Sequence, residues 1–174
     1  MAFPQHDGKQ FAAHTIERAY HAVVWGAPRA GEGLIEGKIG RNPFDRKRMA
    51  MLRGSGKEAR TRYRTVERFG DAARPFASLI ECRLETGRTH QIRVHLTHLG
   101  HPLIGDPTYG RTRTPPRPKN EAQAAAYLAA AEFPRQALHA YILGFQHPST
   151  HKVMRFESAW PVDLADLIAK LRRL

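Results

Sequence analysis

Sulfur, acid and long apolar runs are all scarce in this chain, and each shortage removes a class of protein. Cys82 is the single cysteine among 174 residues. Neither a disulfide framework nor a cysteine-based zinc finger can be built from it, which suits a reducing compartment. It stands between Ile80 and Leu84 in a strand-like run, as a buried inert thiol would. Nowhere do about 18 apolar residues follow one another, so no helix is expected to cross a membrane. The opening "MAFPQHDGKQF" has neither the apolar core nor the cleavage site of a signal peptide. Nucleophile elbows of the G-x-S-x-G type and phosphate loops of the G-x-x-x-x-G-K-[ST] or G-x-G-x-x-G type are missing as well.

The shortage of acid is the most informative. Sixteen Asp and Glu face 28 Lys and Arg, a net charge of +12 and a pI near 10.5. Such an excess points to a polyanionic partner, with nucleic acid first among them; the plainer alternative is a solvated basic surface. The length fits one domain, and neither an internal repeat nor a boundary is visible.

Strands are expected at 16–25, in "LIEGKI", at 59–69, at 76–85, and in "ALHAYILGF" and "HKVMRFES". Residues 41–57 read as a basic loop. From residue 89 the period changes: Ile92, Leu96 and Leu99 share one helix face, with Thr89 as N-cap and Gly100 beyond the end. "EAQAAAYLAAAEF" reads as a surface helix. A final helix follows Pro161 at its first position, with a stripe of Leu164, Leu167, Ile168 and Leu171. Runs of strands with few helices between them predict an α+β fold, a mainly antiparallel mixed sheet with flanking helices.

Two patterns carry chemistry. Between Arg41 and Arg64 stand nine Lys or Arg against only Asp45 and Glu58. Arg60, Arg62 and Arg64 alternate, so a strand sets them on one face, able to track phosphates or merely to keep a sheet soluble. The second pattern is "TGRTHQIRVHLTHLGHP", with four histidines and no acid. His90, His95, His98 and His101 lack the Cys or Glu that would complete a zinc site. Arg93 falls near the helix start, where the dipole disfavours a cation. Either something negative sits nearby, a carboxylate or a phosphate, or the side chain reaches out to water.

"LETGRTHQIRVHLTHLGHPLIGDPTYG" resembles the signature of the RluA-type RNA pseudouridine synthases. The likeness continues in "QFAAHTIERAYHAVVWG", "RNPFDRKRMAM", "GKEARTRYRTVERF" and "FPRQALHAYILGFQHP", and is strongest to the large-subunit ribosomal RNA members. The resemblance implies isomerisation of uridine in RNA without metal or organic cofactor. It implies catalytic roles for Tyr20, against the uracil, and for Arg93, the partner of the catalytic aspartate. The family's nucleophilic aspartate belongs to an H-R-L-D-x-x-T-S-G motif that these 174 residues do not contain. Asp7 follows His6 without the rest of that motif, and Asp106 matches a turn motif instead.

The expectation is therefore a partial catalytic domain over residues 1–174, without an S4-type RNA-binding domain and inactive alone, in which Arg93 has lost its carboxylate. A non-catalytic RNA-binding protein on the same scaffold is the alternative. RNA is expected to meet Arg46, Arg48, Lys57, Arg60, Arg62, Arg64, Arg88 and His90. The expected setting is cytoplasmic, with a monomer and no membrane contact. Elemental analysis of the purified protein should find no stoichiometric zinc or iron. One equivalent of zinc, lost together with stability on chelation, would reverse this.

Overall fold

A computed structural model describes residues 16–110 and 117–174. Seven strands form one sheet: β1 (Glu17–Trp25), β2 (Glu32–Arg41), β3 (Met49–Leu52), β4 (Lys57–Gly70), β5 (Pro75–Leu84), β6 (Leu138–Gln146) and β7 (Val153–Glu157). Their order is β3-β2-β4-β5-β1-β6-β7, and every pairing is antiparallel. Three helices flank it: α1 (Gln91–His98), α2 (Glu121–Ala131) and α3 (Val162–Leu171). The fold is α+β, as the order of runs predicted.

Period-two patterning divides the sheet's faces. On one face Val23, Trp25, Phe69, Ala77 and Leu79 pack under Leu164, Leu167, Ile168 and Leu171 of α3 and Ala130 of α2. On the other, Ala22, Val24, Ile35, Tyr63, Ile80 and Cys82 pack under Ile92 and Leu96 of α1. Complete burial raises the pKa of the Cys82 thiol and keeps it inert. Gly33 has a specific reason to be glycine, since a Cβ there would come 2.9 Å from the Tyr63 ring.

Three local expectations need correction. The 41–57 stretch is not all loop, because Met49–Leu52 pairs with Lys38–Arg41. That four-residue strand is held by β2, its hairpin partner across the 42–48 loop, and leaves little mark on its own periodicity. His90, not Thr89, caps α1, with a left-handed φ of 58° and no side-chain cap bond. Pro161 stands at the N-cap of α3, one position before the one expected. Gly100 does follow the end of α1, at φ 86°, with its N–H bonded back to Thr97. On α2, Asn120 caps the N-terminus through Gln123 N–H at 2.8 Å, and only Ala126 and Ala130 are buried.

Buried polar groups lock α1 to β4. The Gln91 side chain donates to Arg60 O and Thr61 Oγ1, both at 2.9 Å. It accepts from Thr86 Oγ1 at 2.8 Å and Arg88 N–H at 2.9 Å. One turn on, fully buried His95 sets Nδ1 2.9 Å from Thr61 Oγ1. Burial, then the neighbouring His98, pushes the His95 pKa down from 6.5 to about 4. The folded protein thus keeps this ring neutral where the unfolded chain would protonate it. Stability should fall as pH drops from 6.5 towards 4, at up to about 1.4 kcal/mol per pH unit from this group. Urea titrations at pH 7, 6 and 5 should show that extra slope in the parent protein and not in His95→Leu.

Candidate active site and nucleic-acid interface

Tyr20 lies on β1 between Cys82 of β5 and Ala140 of β6, beside a bulge in the β1–β6 pairing. Half-buried, it packs against the apolar cluster that includes Ile92 and Leu96. It therefore faces the same side of the sheet as α1. Period two puts Arg18 on that face too, and its guanidinium lies against Gly87, where a Cβ would collide with it.

α1 carries Arg93, 9% exposed, into a buried bidentate pair with Asp106. The two bonds measure 2.8 Å from Nε and 2.7 Å from Nη2. Asp106 also accepts from the N–H groups of Thr108 and Tyr109, at 2.9 and 3.0 Å. Burial alone would raise the Asp106 pKa, yet Arg93 and these two N–H groups hold it below the usual carboxylate range. The bond to Asp106 in turn raises the Arg93 pKa, against the opposing effect of burial.

The expectation that Arg93 has lost its carboxylate is thus overturned. The acid it needs near the helix start comes from a turn 13 residues onward. Gly105, at φ 67°, shapes that turn and is crowded by the carbonyls of Phe133 and Arg135. No periodicity in the sequence reveals such a partner.

Tyr109 roofs the pair, its ring centroid 4.9 Å from the Arg93 guanidinium carbon. Its hydroxyl accepts from Met49 N–H at 2.9 Å and lies 3.0 Å from His90 Nδ1. Burial, then the nearby Arg93 charge, lowers the His90 pKa. One residue thereby ties β3, α1 and the 103–110 turn together. Neither Tyr109 nor Gln91 was singled out from the sequence. Their roles depend on what they meet across the fold.

Beside this assembly opens a cavity of about 500 Å³, lined by Arg41, Lys47, Lys57, Arg88, Thr89 and His90 among others, with no acid among the described residues of its wall. Lys57, Arg88 and His90 of the expected RNA-facing set are brought together here. Arg48 lies apart, 5.5 Å from the Tyr109 ring, in the wall of a second cavity of about 260 Å³. Arg46 lines neither; its carbonyl accepts from Arg41 at 3.0 Å. His6 and Asp7 fall outside the described residues.

Arg60, Arg62 and Arg64 do share one exposed face, but it is the face opposite Tyr20 and α1. There they enter an ion-pair lattice with glutamates of β2 and β5 and with Glu85 just past the end of β5. Arg60 meets Glu36 and Glu85 at 3.1 and 3.0 Å, Arg62 meets Glu85 at 2.6 Å, and Arg64 meets Glu81 at 3.4 Å. Arg83 and Arg155 extend it through Glu81, Glu17 and Glu157. Five arginines face five glutamates, so the lattice is neutral.

The family described as RNA pseudouridylate synthase matches residues 6–98. The chain belongs to that family. It is 44% identical to ribosomal large subunit pseudouridine synthase D of Nitrosomonas europaea, over 95% of this chain and 44% of that protein. Against RNA pseudouridine synthase 2, chloroplastic, of Arabidopsis thaliana the identity is 38%, over 97% of this chain and 41% of the relative. The chain spans about half the length of the curated relatives it matches. The solved structure of human RNA pseudouridylate synthase domain containing 1 superposes with a TM-score of 0.69 at 27% identity, covering 94% of this chain and 62% of that one. Tyr20 and Arg93 both lie within the stretch that matches the synthase family.

Breaking the buried pair from either side should be costly. Arg93→Met and Asp106→Asn are each expected to lose about 3–5 kcal/mol of stability, since each strands the partner. Because both remove the same interaction, the double variant should cost much less than their sum in denaturant unfolding.

Proposed function

We propose that this chain is the RNA-handling part of a uridine-isomerising enzyme, with ribosomal RNA as substrate. Support comes from one coincidence above all. Tyr20 and the Arg93–Asp106 pair share one side of the sheet, and a basic cavity with no acid among its described lining residues adjoins the pair through His90. The isomerisation breaks the bond from ribose C1′ to uracil N1 and joins C1′ to C5, while C5 loses a proton and N1 gains one. A base in a duplex is out of reach for this, so the uridine must leave its stack.

In this reading Tyr20 lies along the uracil and is the candidate acceptor of the C5 proton. Arg93 is a positioning residue, held in place by Asp106. Asp106 itself is fully committed, with four hydrogen bonds and a lowered pKa, and is not free to attack a ribose. Asp106 is therefore not the candidate for the carboxylate that meets the sugar. Phosphates bind through Arg41, Lys47, Lys57, Arg88 and His90. Arg46 and Arg48 extend that surface, and Arg60, Arg62 and Arg64 contribute less because glutamates already neutralise them. The setting is the cytoplasm, the protein acts as a monomer, and neither metal nor cofactor takes part. Arg93's full engagement by Asp106 favours, as the second reading, an RNA-binding protein that does not isomerise.

RNA affinity should fall steeply with salt. Lys57→Ala should lower the log–log salt slope by roughly 0.7–0.9 and Arg62→Ala by clearly less. Binding indifferent to salt would refute the phosphate contacts. Chemical mapping after incubation with ribosomal RNA should find no pseudouridine from the 174 residues alone, and conversion once a segment bearing H-R-L-D is joined upstream. Conversion by the 174 residues alone would make Asp7 the first residue to test. Binding without conversion in the extended protein would establish the second reading.

A further inference from the structure

The loop between β2 and β3 holds the most exposed large apolar side chain among the described residues, Phe44 at 98%. A bare phenyl at a loop tip usually goes with a soft loop, but this one is stapled. Asn42 Oδ1 accepts from the N–H groups of Phe44 and Asp45, at 2.8 and 3.2 Å. Asp45 Oδ1 takes Lys47 N–H at 3.1 Å. Arg48 N–H bonds to Asp45 O, and Asn42 N–H to Arg48 O, both at 2.9 Å. Arg41 closes the ring onto Arg46 O at 3.0 Å. The loop's internal bonds thus fix the backbone that carries Phe44 without burying any of its ring.

The surroundings select the partner. Arg41 at the end of β2 and Arg46, Lys47 and Arg48 of the loop stand against one acid, Asp45, so the loop with its β2 anchor carries a net +3 (four cations less one anion). Arg41 and Lys47 line the 500 Å³ basic cavity, and Asn42 and Arg48 line the 260 Å³ cavity. The phenyl therefore tips a loop whose two flanks wall the two cavities. A protein surface would hide such a ring in an apolar pocket, but four cations within four residues of it in sequence suit a partner that offers flat apolar faces strung between phosphates. Unpaired RNA has that chemistry, since every base has a face to stack and every linkage an anion.

We propose that Phe44 is a stacking platform for an unpaired nucleobase of the RNA, next to the phosphates held by Arg41 and Lys47. This rests on the RNA reading above and adds a contact with the base to it. Phe44 has no neighbours to lose, so Phe44→Ala should leave the melting temperature unchanged and isolate the effect on binding.

The test titrates an unstructured 12-nucleotide RNA, the same oligomer with abasic riboses, and a duplex of equal length against the parent protein, Phe44→Ala and Phe44→Trp. Phe44→Ala should weaken the single strand roughly tenfold, within the range for one stacked base, while its salt slope stays as in the parent. Phe44→Trp should bind at least as well as the parent, with its indole fluorescence quenched by the oligomer. The abasic oligomer and the duplex should not distinguish the three proteins. Equal binding of the single strand by parent and Phe44→Ala would overturn the platform and leave the phosphate contacts standing. A Phe44→Ala loss as large on the abasic oligomer would also overturn it. Failure of the parent to bind any of the three RNAs would overturn both readings.

Discussion

A guanidinium gripped by a carboxylate at two points, largely shielded from water, organises this molecule. Arg93 would be badly placed in the first turn of α1 if it were alone, because the helix's positive end opposes it. Asp106 removes that penalty and is itself steadied by two backbone N–H groups of its own turn. The pair thereby fixes three things at once: the start of α1, the path of the turn after it, and the seat of Tyr109. Tyr109 passes the constraint on to β3 and His90 through its hydroxyl. The cavity wall inherits its shape from this chain of contacts.

Charge is distributed less simply than the net +12 suggests. One face of the sheet carries an ordered lattice in which each arginine has a glutamate, and exposed pairs of this kind add little stability and little field. On the other side, the described wall of the cavity beside α1 holds cations without a compensating acid. A polyanion would sense the second region and largely ignore the first. Electrostatic attraction depends on where charges are left uncompensated, not on how many there are.

This difference also explains how far the sequence could be read. Strand positions, the antiparallel sheet and the stripe of α3 were legible because each is written in local period. The alternation of Arg60, Arg62 and Arg64 was legible too, but not Glu36, Glu81 and Glu85, which join them only through strand pairing. Tyr20 and Arg93 were named as site candidates by resemblance, and helix physics offered an anion beside Arg93 as one of two alternatives. Asp106 was passed over because it sits in a glycine-bent turn, with nothing periodic to link it to α1. β3 was missed for a related reason: a four-residue strand borrows its order from β2.

Gln91 imposes a constraint of a different kind. Its amide has two donors and room for two acceptor contacts, and all four are used: oxygen towards Thr86 and Arg88, nitrogen towards Arg60 O and Thr61. Turning the amide over would set oxygen against the Arg60 carbonyl and NH₂ against the Arg88 N–H. The surrounding backbone therefore reads the direction of the group as well as its presence. Glutamate, equal in shape, would fail at the nitrogen side, and a shorter asparagine would not span from α1 to β4. At this position the fold works as a one-way key, and what it demands of the sequence is a dipole of fixed length and sense, with no demand for charge or apolar bulk.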